Sequence, residues 1–423
     1  MTLIFVEQLT QRLQYTFDFV FNARGLSYEL TSDLTYFSSS NQQKFNYSAH
    51  TISDVPSLVP STLLFEEAIH QISLDKVTMD DIEFMSFNDC PDLVASIFFV
   101  LSRYEEYWKV ERDEHDRFPA FCSMQSVFGW LHEPICDRWA LSLLQFIGIN
   151  SVPDSEFNIQ PTFDIDSTFA YKGKGAFRTT AGILKDLSKG RINRVKDRIK
   201  VLIQKRKDPF DTFDQITQIA EQYPETRCFW LLADFGTYNK NLSYTNPQQG
   251  EIISKLSSTC EIGIHPGYDT YMNATNLALE IHRLTSLTKK EIKISRQHFL
   301  RLSIPETYNH LTEHNIQIDY SMGYAETTGF RMGTARQTPW FNLKTNEITS
   351  LQLQPFCYMD GTLNEYMKLS PNQAIEEVKR LKALVKVYGG TFSFIWHNET
   401  LGFKHHWKGW EPVFEESIKY NSK

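Results

Sequence analysis

Short apolar runs that stop at ionisable residues recur through the last two thirds of this 423-residue chain. In chain order they are Phe157–Phe163 before Asp164, Cys228–Ala233 before Asp234, Glu261–Ile264 before His265, Glu291–Ile294 before Ser295 and Arg296, Ile316–Ile318 before Asp319, and Thr391–Trp396 before His397. Helical patterns such as Pro371–Val387 lie between them. This alternation predicts an α/β fold built on a parallel sheet or barrel, whose polar residues gather at the carboxyl ends of the strands.

The first part of the chain has a different pattern. Residues 1–60 alternate apolar and polar positions between polar turns, which predicts short strands. Apolar residues at helical spacing predict two buried helices, over Asp92–Trp108 and Cys136–Ile147. Strands and helices in separate blocks indicate an α+β arrangement.

A linker is predicted where these two patterns meet. The stretch Asn150–Asp154 combines Asn, Ser, Pro and Asp, the residues that favour turns and loops. We therefore predict a smaller α+β N-terminal domain of unknown function over 1–150 and an α/β domain over 151–423. A chain of this length is expected to form two or three domains.

Composition excludes several classes of function. Lys and Arg total 43 against 51 Asp and Glu, a net charge of −8, which argues against nucleic acid as a partner. The six cysteines are scattered and form no CxxC pair, so neither a zinc ribbon nor a disulfide framework is expected. The first residues lack the pattern of a signal peptide, and no apolar run would span a bilayer. A cytoplasmic location is therefore predicted.

Two carboxylates stand at the end of the first apolar run of the α/β part. Asp164 and Asp166 are two positions apart, so both side chains leave an extended segment on the same face. Paired carboxylates repel unless a cation or a proton lies between them. A divalent metal could take one as a ligand and leave the other as a base. A helix cap or an Asx turn would also account for aspartates here.

Three histidines and one arginine follow other predicted strands. His265 precedes a Pro-Gly turn, Arg296 and His298 share a face if their strand continues, and His397 ends the last apolar run. Taken singly, they also fit a turn histidine, a surface arginine in an ion pair and a buried histidine. Together with an aspartate they fit a metal site of two histidines and one carboxylate, with His397 as a general acid.

The order of these segments resembles a known family. TFDID, CFWLL, HPGY, SRQHF, Asp319 and WHN follow one another as in the NodB-homology polysaccharide deacetylases of carbohydrate esterase family four. LSRYEEY and Asp116-Arg117-Phe118 are similar to a bacterial branch with an extra N-terminal domain. The resemblance covers about 155–402 of the catalytic part. It implies a distorted (β/α) barrel that binds a divalent metal, usually zinc.

The resemblance also implies which residues hold the metal. Asp166 matches the metal aspartate and His265 the first metal histidine. The family's second metal histidine lies four residues after the first, where this chain has Asp269. The third ligand is therefore either His298 or Asp269. The family's two aspartates are adjacent, whereas Ile165 separates them here.

The same resemblance implies a reaction. Asp164 matches the base, Arg296 the arginine that orients it, and His397 the general acid. Asp319 lies where the family has an aspartate that tunes this histidine. The implied activity is metal-dependent hydrolysis that removes N-acetyl or O-acetyl groups from a sugar of a polysaccharide or its biosynthetic intermediate.

Two other functions fit parts of the sequence. The altered ligand set would suit a catalytically inactive NodB-like protein that binds glycan or acts as a scaffold. Asp164 to Thr168 also matches the DxDxT motif of haloacid-dehalogenase-like phosphatases, with Asp164 as phosphoryl acceptor. That fold needs a later aspartate pair for magnesium, but Asp234 stands alone, and it leaves the three histidines unexplained.

One further segment is strongly basic. Residues 185–207 contain ten Lys or Arg against Asp186 and Asp197, with apolar residues on roughly one helical face. Such a helix either packs on the barrel with a solvated basic face or lies on an anionic membrane surface. The second reading predicts peripheral contact at the inner membrane face, where an N-acetylated sugar or lipid-linked glycan intermediate would be the substrate.

Overall fold

The computed structural model describes residues 1–153 and 156–420. Asp154 of the predicted linker and the last three residues of the predicted second domain lie outside the described residues. The elements before residue 150 are β1 (Thr2–Val6), α1 (Gln11–Val20), β2 (Tyr28–Thr31), α2 (Leu34–Ser39), β3 (Gln43–Tyr47), β4 (Ser57–Leu58), β5 (Leu74–Met79), β6 (Ile82–Phe87), β7 (Cys90–Pro91), α3 (Leu93–Leu101), α4 (Met124–Val127) and α5 (Ile135–Phe146).

The second part of the chain alternates strands and helices. Its elements are β8 (Phe157–Ile165), α6 (Gly175–Ser188), α7 (Ile192–Leu202), α8 (Phe213–Gln222), β9 (Arg227–Trp230), α9 (Pro247–Leu256), β10 (Glu261–Ile264), α10 (Ala274–Thr288), β11 (Ile294–Ser295), α11 (Glu306–Glu313), β12 (Ile318–Asp319), β13 (Thr338–Asn342), β14 (Glu347–Leu353), β15 (Tyr358–Met359), α12 (Pro371–Tyr388), β16 (Gly390–His397) and α13 (Glu411–Ile418).

A nine-stranded sheet forms the centre of the second part. Its order is β13-β14-β12-β11-β10-β9-β8-β16-β15, and every neighbouring pair is parallel except β13 with β14. The predicted mixed α/β fold with a parallel sheet is therefore confirmed. Within the described residues β13 and β15 are the two edges of this order, so closure into a barrel stays a prediction.

Alternation along the strands separates two apolar layers. On β9, Cys228 and Trp230 join the large core formed with helices α8 to α13, whereas Phe229 packs with Ile294 and Tyr320 in a smaller cluster. All five side chains are at most 1% exposed. Strands buried on both faces explain why these segments read as continuous apolar runs.

The N-terminal region, residues 1–149, holds two further sheets. One is parallel with the order β2-β1-β3-β4, and the other is antiparallel with the order β5-β6-β7. The prediction that residues 1–60 form only strands and turns was wrong, because this stretch also contains the helices α1 and α2. Helix α1 begins after Thr10, whose hydroxyl accepts a hydrogen bond from the Leu13 amide. Phe341 of β13 and Leu343, which directly follows this strand, complete the core of this region. A separate N-terminal domain therefore stays a prediction.

A buried ionic cluster joins the N-terminal region to the central sheet. Arg103 adopts a left-handed φ of 54°, which ends α3 at Leu101, before the predicted Trp108. Its guanidinium donates to Glu106 at 2.8 Å and to the Arg331 carbonyl at 2.6 Å. Arg331 in turn donates to both oxygens of Glu106 at 3.0 and 2.6 Å. The LSRYEEY segment is thus an interface between the two parts.

The basic segment 185–207 is not one helix. Gly190, with φ of 65°, separates α6 from α7, and the two helices form a surface hairpin. Among the described residues, no helix is both long enough and apolar enough to cross a membrane.

Candidate active site

One cleft collects the polar residues at the carboxyl ends of the central strands. It has a volume of about 200 Å³. Asp164 is the penultimate residue of β8 and His397 the last residue of β16, while His265 and Arg296 directly follow β10 and β11. Because these strands are parallel neighbours, their carboxyl ends meet at one edge. The predicted gathering of polar side chains is therefore present for these residues, whereas Asp234 and Asp319 do not line the cleft.

Three residues that line the cleft form a group that could hold a metal ion. One ligand atom from each of Asp166, His265 and His298 lies within 4.8 Å of the other two. The His265 Nε2 lies 3.2 Å from Asp166 Oδ1, and the His298 Nε2 lies 3.5 Å from Asp166 Oδ2. Two imidazoles and one carboxylate are a donor set that suits a catalytic zinc ion.

The hydrogen bonds of these three side chains leave atoms with lone pairs free to bind a cation. The His265 Nδ1 lies 2.6 Å from the Arg296 carbonyl, which can only accept, so Nδ1 carries the proton and Nε2 is a lone-pair donor. The Asp166 Oδ1 and the His298 Nδ1 are buried and have no hydrogen-bond partner in the described chain. Buried polar atoms without partners are costly unless a ligand satisfies them.

The electrostatics of the group fit the same occupant. Burial disfavours the charged form of Asp166, but His298 and His265 nevertheless hold the pKa of this carboxyl well below its usual range. Burial also lowers the pKa of His298, which favours the neutral ligand form of its imidazole. Burial opposes the charge on His265 as well, but Asp164 and Asp166 raise its pKa, so a bound cation would have to take the place of the proton on the His265 Nε2. A cation bound between these side chains would balance the negative charges of Asp164 and Asp166.

Asp164 is positioned by Arg296. The Arg296 Nη1 donates to Asp164 Oδ1 at 2.8 Å, and its Nε donates to the Tyr320 carbonyl at 3.0 Å. The guanidinium is fully buried and lies 4.4 Å from the centre of the Phe229 ring. Asp164 keeps its second oxygen directed at the cleft, 3.9 Å from the His265 Nε2. A carboxylate fixed in this way could accept a proton.

His397 is positioned by Asp360, which the sequence analysis did not select. The His397 Nδ1 lies 2.9 Å from Asp360 Oδ1, and the His397 amide donates to Asp360 Oδ2 at 2.9 Å. Burial disfavours the imidazolium, but Asp360 nevertheless raises the pKa of His397 well above its usual value. The His397 Nε2 lies 3.9 Å from Asp166 Oδ2 and could donate a proton into the cleft.

The expectation that Asp319 tunes His397 needs correction. Asp319 is fully buried at the end of β12, where it accepts from Ser295, from Ser321 and from the Ser321 amide. Its hydrogen bonds thus go to two serines, whereas those of Asp360 reach His397. The signal for Asp360 was present, because it follows the apolar run Phe356–Met359 in the same manner as the other strand ends.

The structure also shows where two other candidates lie, Asp269 as a third metal ligand and Asp234 as the magnesium aspartate of a phosphatase. Asp269 is exposed and accepts from Asn239 at 2.9 Å, outside the three-ligand group, whereas His298 lies inside it. Asp234 pairs with Arg283 at 2.8 Å, and its side chain is 83% exposed. It does not line the cleft, so it does not supply the magnesium aspartate that a phosphatase would need.

Apolar side chains form the remaining walls of the cleft. Leu300, Ala325 and Met359 belong to a small cluster beside the metal group, and Tyr366 and Trp407 line the opening. Leu300 has a left-handed φ of 55°, as does the preceding Phe299 at 60°. Two consecutive residues of this kind cost free energy, and such strain is concentrated at functional sites.

The N-terminal region contributes a charged residue to the cleft. Arg117, from the loop between α3 and α4, lines the cleft beside Tyr366. Its Nε donates to Asp113 at 2.7 Å, and its Nη1 lies 3.4 Å from the Phe299 carbonyl. Nearby, Arg301 pairs with Asp116 of the same loop. The sequence placed Arg117 in a family-like segment but assigned it no role.

Comparisons with known proteins give the following. A family model described as a family of unknown function, DUF7033, matches residues 2–149. No curated protein matches the chain. A proposed polysaccharide deacetylase from Mycobacterium smegmatis is 16% identical, over 63% of this chain and 85% of its own, with a TM-score of 0.40.

Two further solved structures are similar over the same part of the chain. A proposed polysaccharide deacetylase involved in O-antigen biosynthesis, from Bordetella bronchiseptica, is 13% identical over 62% of this chain and 79% of its own, with a TM-score of 0.31. The allantoinase PuuE is 10% identical over 63% of this chain and 84% of its own, with a TM-score of 0.37.

Proposed function

We propose that the chain is a metal-dependent hydrolase that removes an N-acetyl or O-acetyl group from a sugar. One observation carries the proposal: a fixed carboxylate and a fixed histidine flank a three-ligand metal group within a single cleft. Asp166, His265 and His298 would hold a divalent ion, for which zinc is the proposed identity. When bound, such an ion supplies positive charge that lowers the pKa of water and polarises a carbonyl.

The first half of the proposed reaction uses Asp164 as the base. A water oxygen forms a bond to the acetyl carbonyl carbon, the second electron pair of the carbonyl bond moves onto the carbonyl oxygen, and the proton of the water passes to the free oxygen of Asp164. Arg296 holds the other oxygen of that carboxylate, so the acceptor keeps its orientation. General-base catalysis of this kind contributes about 10²–10⁴-fold to the rate.

The second half uses His397 as the acid. The bond between the carbonyl carbon and the sugar nitrogen breaks, and the proton on the His397 Nε2 passes to that nitrogen. As that bond breaks, the carbonyl double bond re-forms and gives acetic acid, which ionises to acetate, and the free amine. Asp164 then loses its proton and His397 takes one up, so that both groups return to their starting states. The contact between Asp360 and the His397 Nδ1 supports this role, because it stabilises the imidazolium and fixes the ring.

The shape of the cleft supports an acetylated sugar. The small apolar wall of Leu300, Ala325 and Met359 suits a methyl group, and aromatic rings such as Trp407 suit the apolar face of a sugar ring. The substrate that we propose is an N-acetylated sugar or a lipid-linked glycan intermediate. A cytoplasmic position at the inner membrane face would bring the enzyme to such an intermediate.

Metal content tests the proposal. We would measure it by inductively coupled plasma mass spectrometry on wild type, on His265→Ala and on His282→Ala. The last is the matched control, since His282 is an exposed histidine of α10. We expect about one zinc per chain in wild type and in the control, and its loss from His265→Ala.

Activity is then measured on the same proteins. Wild type reconstituted with zinc should release acetate from N-acetylglucosamine oligomers, and His265→Ala should not. Wild type that holds no metal after incubation with zinc, cobalt or nickel would contradict the proposal. That result would favour the alternative, an inactive protein that binds glycan or acts as a scaffold, which glycan arrays would then test.

A further inference from the structure

The surface hairpin of α6 and α7 carries charge that the proposed reaction does not use. Residues 172–207 contain 13 of the chain's 43 Lys and Arg, but only two of its 51 Asp and Glu. Both acids are already paired, Asp186 with Arg198 at 2.9 Å and Asp197 with Arg206. The hairpin is therefore strongly cationic, although the whole chain has a net charge of −8.

The inner side of the hairpin is anchored to the protein. Val195, Arg198 and Val201 form the buried side of α7, and Asp186 is the buried residue of α6. The Arg198 guanidinium also lies 4.7 Å from the centre of the Tyr171 ring. The two helices thus have a defined orientation, and their opposite sides face solvent.

Large apolar side chains stand on the outer sides of both helices. Phe177 and Leu184, seven residues apart on α6, are 86% and 62% exposed. Ile192 and Ile199 on α7, with Ile203 just after it, are 57%, 47% and 55% exposed. Spacings of four and seven place each set on one face of its helix. Exposed apolar residues grouped in this way mark an interaction surface.

Lysines accompany the apolar residues on the outer side of α7. Lys196 lies four residues after Ile192, and Lys200 follows four residues later, so both share the exposed face. A helix with an apolar stripe bordered by Lys and Arg is the kind that lies in the interface of an anionic bilayer. We propose that the α6–α7 hairpin docks on the surface of an anionic lipid bilayer.

Charge favours a bilayer over a second copy of the chain. Two hairpins packed face to face would bring 13 Lys and Arg of one copy against the same 13 of the other, with both acids of each already paired. Anionic headgroups instead complement these charges, while the acyl boundary accepts the isoleucine and phenylalanine side chains.

A groove connects the hairpin to the cleft. Lys174, Arg194 and Arg198 line one side of it, and Glu399 and Trp407 line the other. Glu399 and Trp407 also line the cleft of the proposed active site, so the groove and the cleft are adjacent. If the proposed function holds, a docked hairpin keeps the cleft at headgroup level, and the substrate is a lipid-linked glycan.

Sedimentation of the full chain with vesicles tests the docking. The probes are vesicles of phosphatidylcholine alone and of phosphatidylcholine with an equal amount of phosphatidylglycerol. We expect binding to the mixed vesicles, weakened by added salt, and none to phosphatidylcholine alone. Replacing an adjacent outward pair, Ile199→Ser with Lys200→Glu, should weaken binding by at least about tenfold.

The matched control replaces an adjacent exposed pair on another helix, Val387→Ser with Lys386→Glu on α12. It should bind as wild type does. Equal binding to both kinds of vesicle, no binding, or wild-type binding by the hairpin variant would overturn the proposal. So would a hairpin-dependent dimer, detected by analytical ultracentrifugation without lipid.

The outcome does not depend on the proposed reaction. The hairpin variant should keep wild-type metal content and wild-type acetate release from a soluble substrate, because neither residue lines the cleft. Vesicle binding by a chain that holds no metal would contradict the proposed function and leave the docking intact. Metal binding and acetate release without vesicle binding would contradict the docking and leave the proposed function intact.

Discussion

Two buried ionic clusters of the molecule, one at the interface between its two parts and one in the cleft, differ in how completely their atoms are bonded. In the cluster of Arg103, Glu106 and Arg331, every side-chain nitrogen and both carboxylate oxygens have a partner. In the cleft, the Asp166 Oδ1 and the His298 Nδ1 are buried and have none within the described residues.

This difference separates a structural role from a chemical one. A closed network holds two parts of the chain in a fixed arrangement, and its charges are fully compensated. An open network keeps buried polar atoms without partners beside a cleft, which is where an ion or a reacting group could bind. Removing a charge should therefore change stability in the first cluster and turnover in the second.

The largest effect is expected for Asp164→Asn. The amide keeps the shape of the side chain and its contact with Arg296 but cannot take a proton. Acetate release should fall by about 10³-fold, while the urea midpoint and the metal content stay close to wild type. Steady-state kinetics and urea unfolding on the same preparations check this. Near-full activity in the variant would refute the assignment of the base.

Glu106→Gln should instead lower stability and leave turnover nearly unchanged. It leaves Arg103 and Arg331 buried without their shared carboxylate, which should lower the free energy of unfolding by about 3–5 kcal/mol. Rates per folded molecule should change little. The matched control is Glu376→Gln, which removes an exposed pair with Lys379 and should barely move the urea midpoint.

The same cluster predicts a dependence on pH. Burial opposes the charge on Glu106, but Arg331 and Arg103 lower its pKa from 4.5 to about 2. A depressed pKa stabilises the folded state above pH 4.5, and this contribution is lost as the pH falls towards 2. Wild type should lose stability across this window, and Glu106→Gln should lose less. Parallel acid profiles for the two proteins would contradict the prediction.

A smaller effect is expected for Asp360→Asn, which weakens the support of His397. Hydrolysis of an N-acetyl sugar should fall by about 100-fold, because its leaving amine needs a proton. Hydrolysis of p-nitrophenyl acetate should fall much less, because its leaving group departs as an anion. The control is Asp319→Asn, whose carboxylate bonds only to neighbouring serines and the Ser321 amide. Equal losses on both substrates would exclude the acid role.

The smallest effect is expected for Arg117→Ala. Arg117 lines the cleft without touching the metal group, so its loss should raise KM by about tenfold and change kcat less. The control is Arg112→Ala in the same loop, where the guanidinium bonds to backbone carbonyls outside the cleft. A change in kcat alone would place Arg117 in the chemistry.

Strand ends were predictable because apolar runs and their polar stops are local signals. Asp164, His265 and His397 each follow such a run, and the parallel order brings them to one edge. Asp360 was missed although it follows the apolar run Phe356–Met359, because this run was not read as a strand. The choice of Asp319 failed because sequence order does not tell which carboxylate faces a given histidine.

Contacts between distant segments were the other limit. Whether His298 or Asp269 completes the ligand group depends on the turn at Phe299, whose left-handed φ is not encoded by a glycine. The position of Arg117 depends on how the N-terminal region packs against the sheet. Neither is a property of a single stretch of sequence, so spacing alone could not decide them.

The place of β16 in the sheet has a consequence for folding. This last strand of the chain inserts between β8 and β15, and its His397 lies directly opposite Asp164 in the register. The Thr162 hydroxyl donates to the Phe394 carbonyl across a separation of 232 residues. Closing such a loop costs entropy before any contact offsets it, which slows folding. The edge of β8 that β16 covers therefore becomes paired only when this long loop closes, and the same event brings Asp164 and His397 side by side.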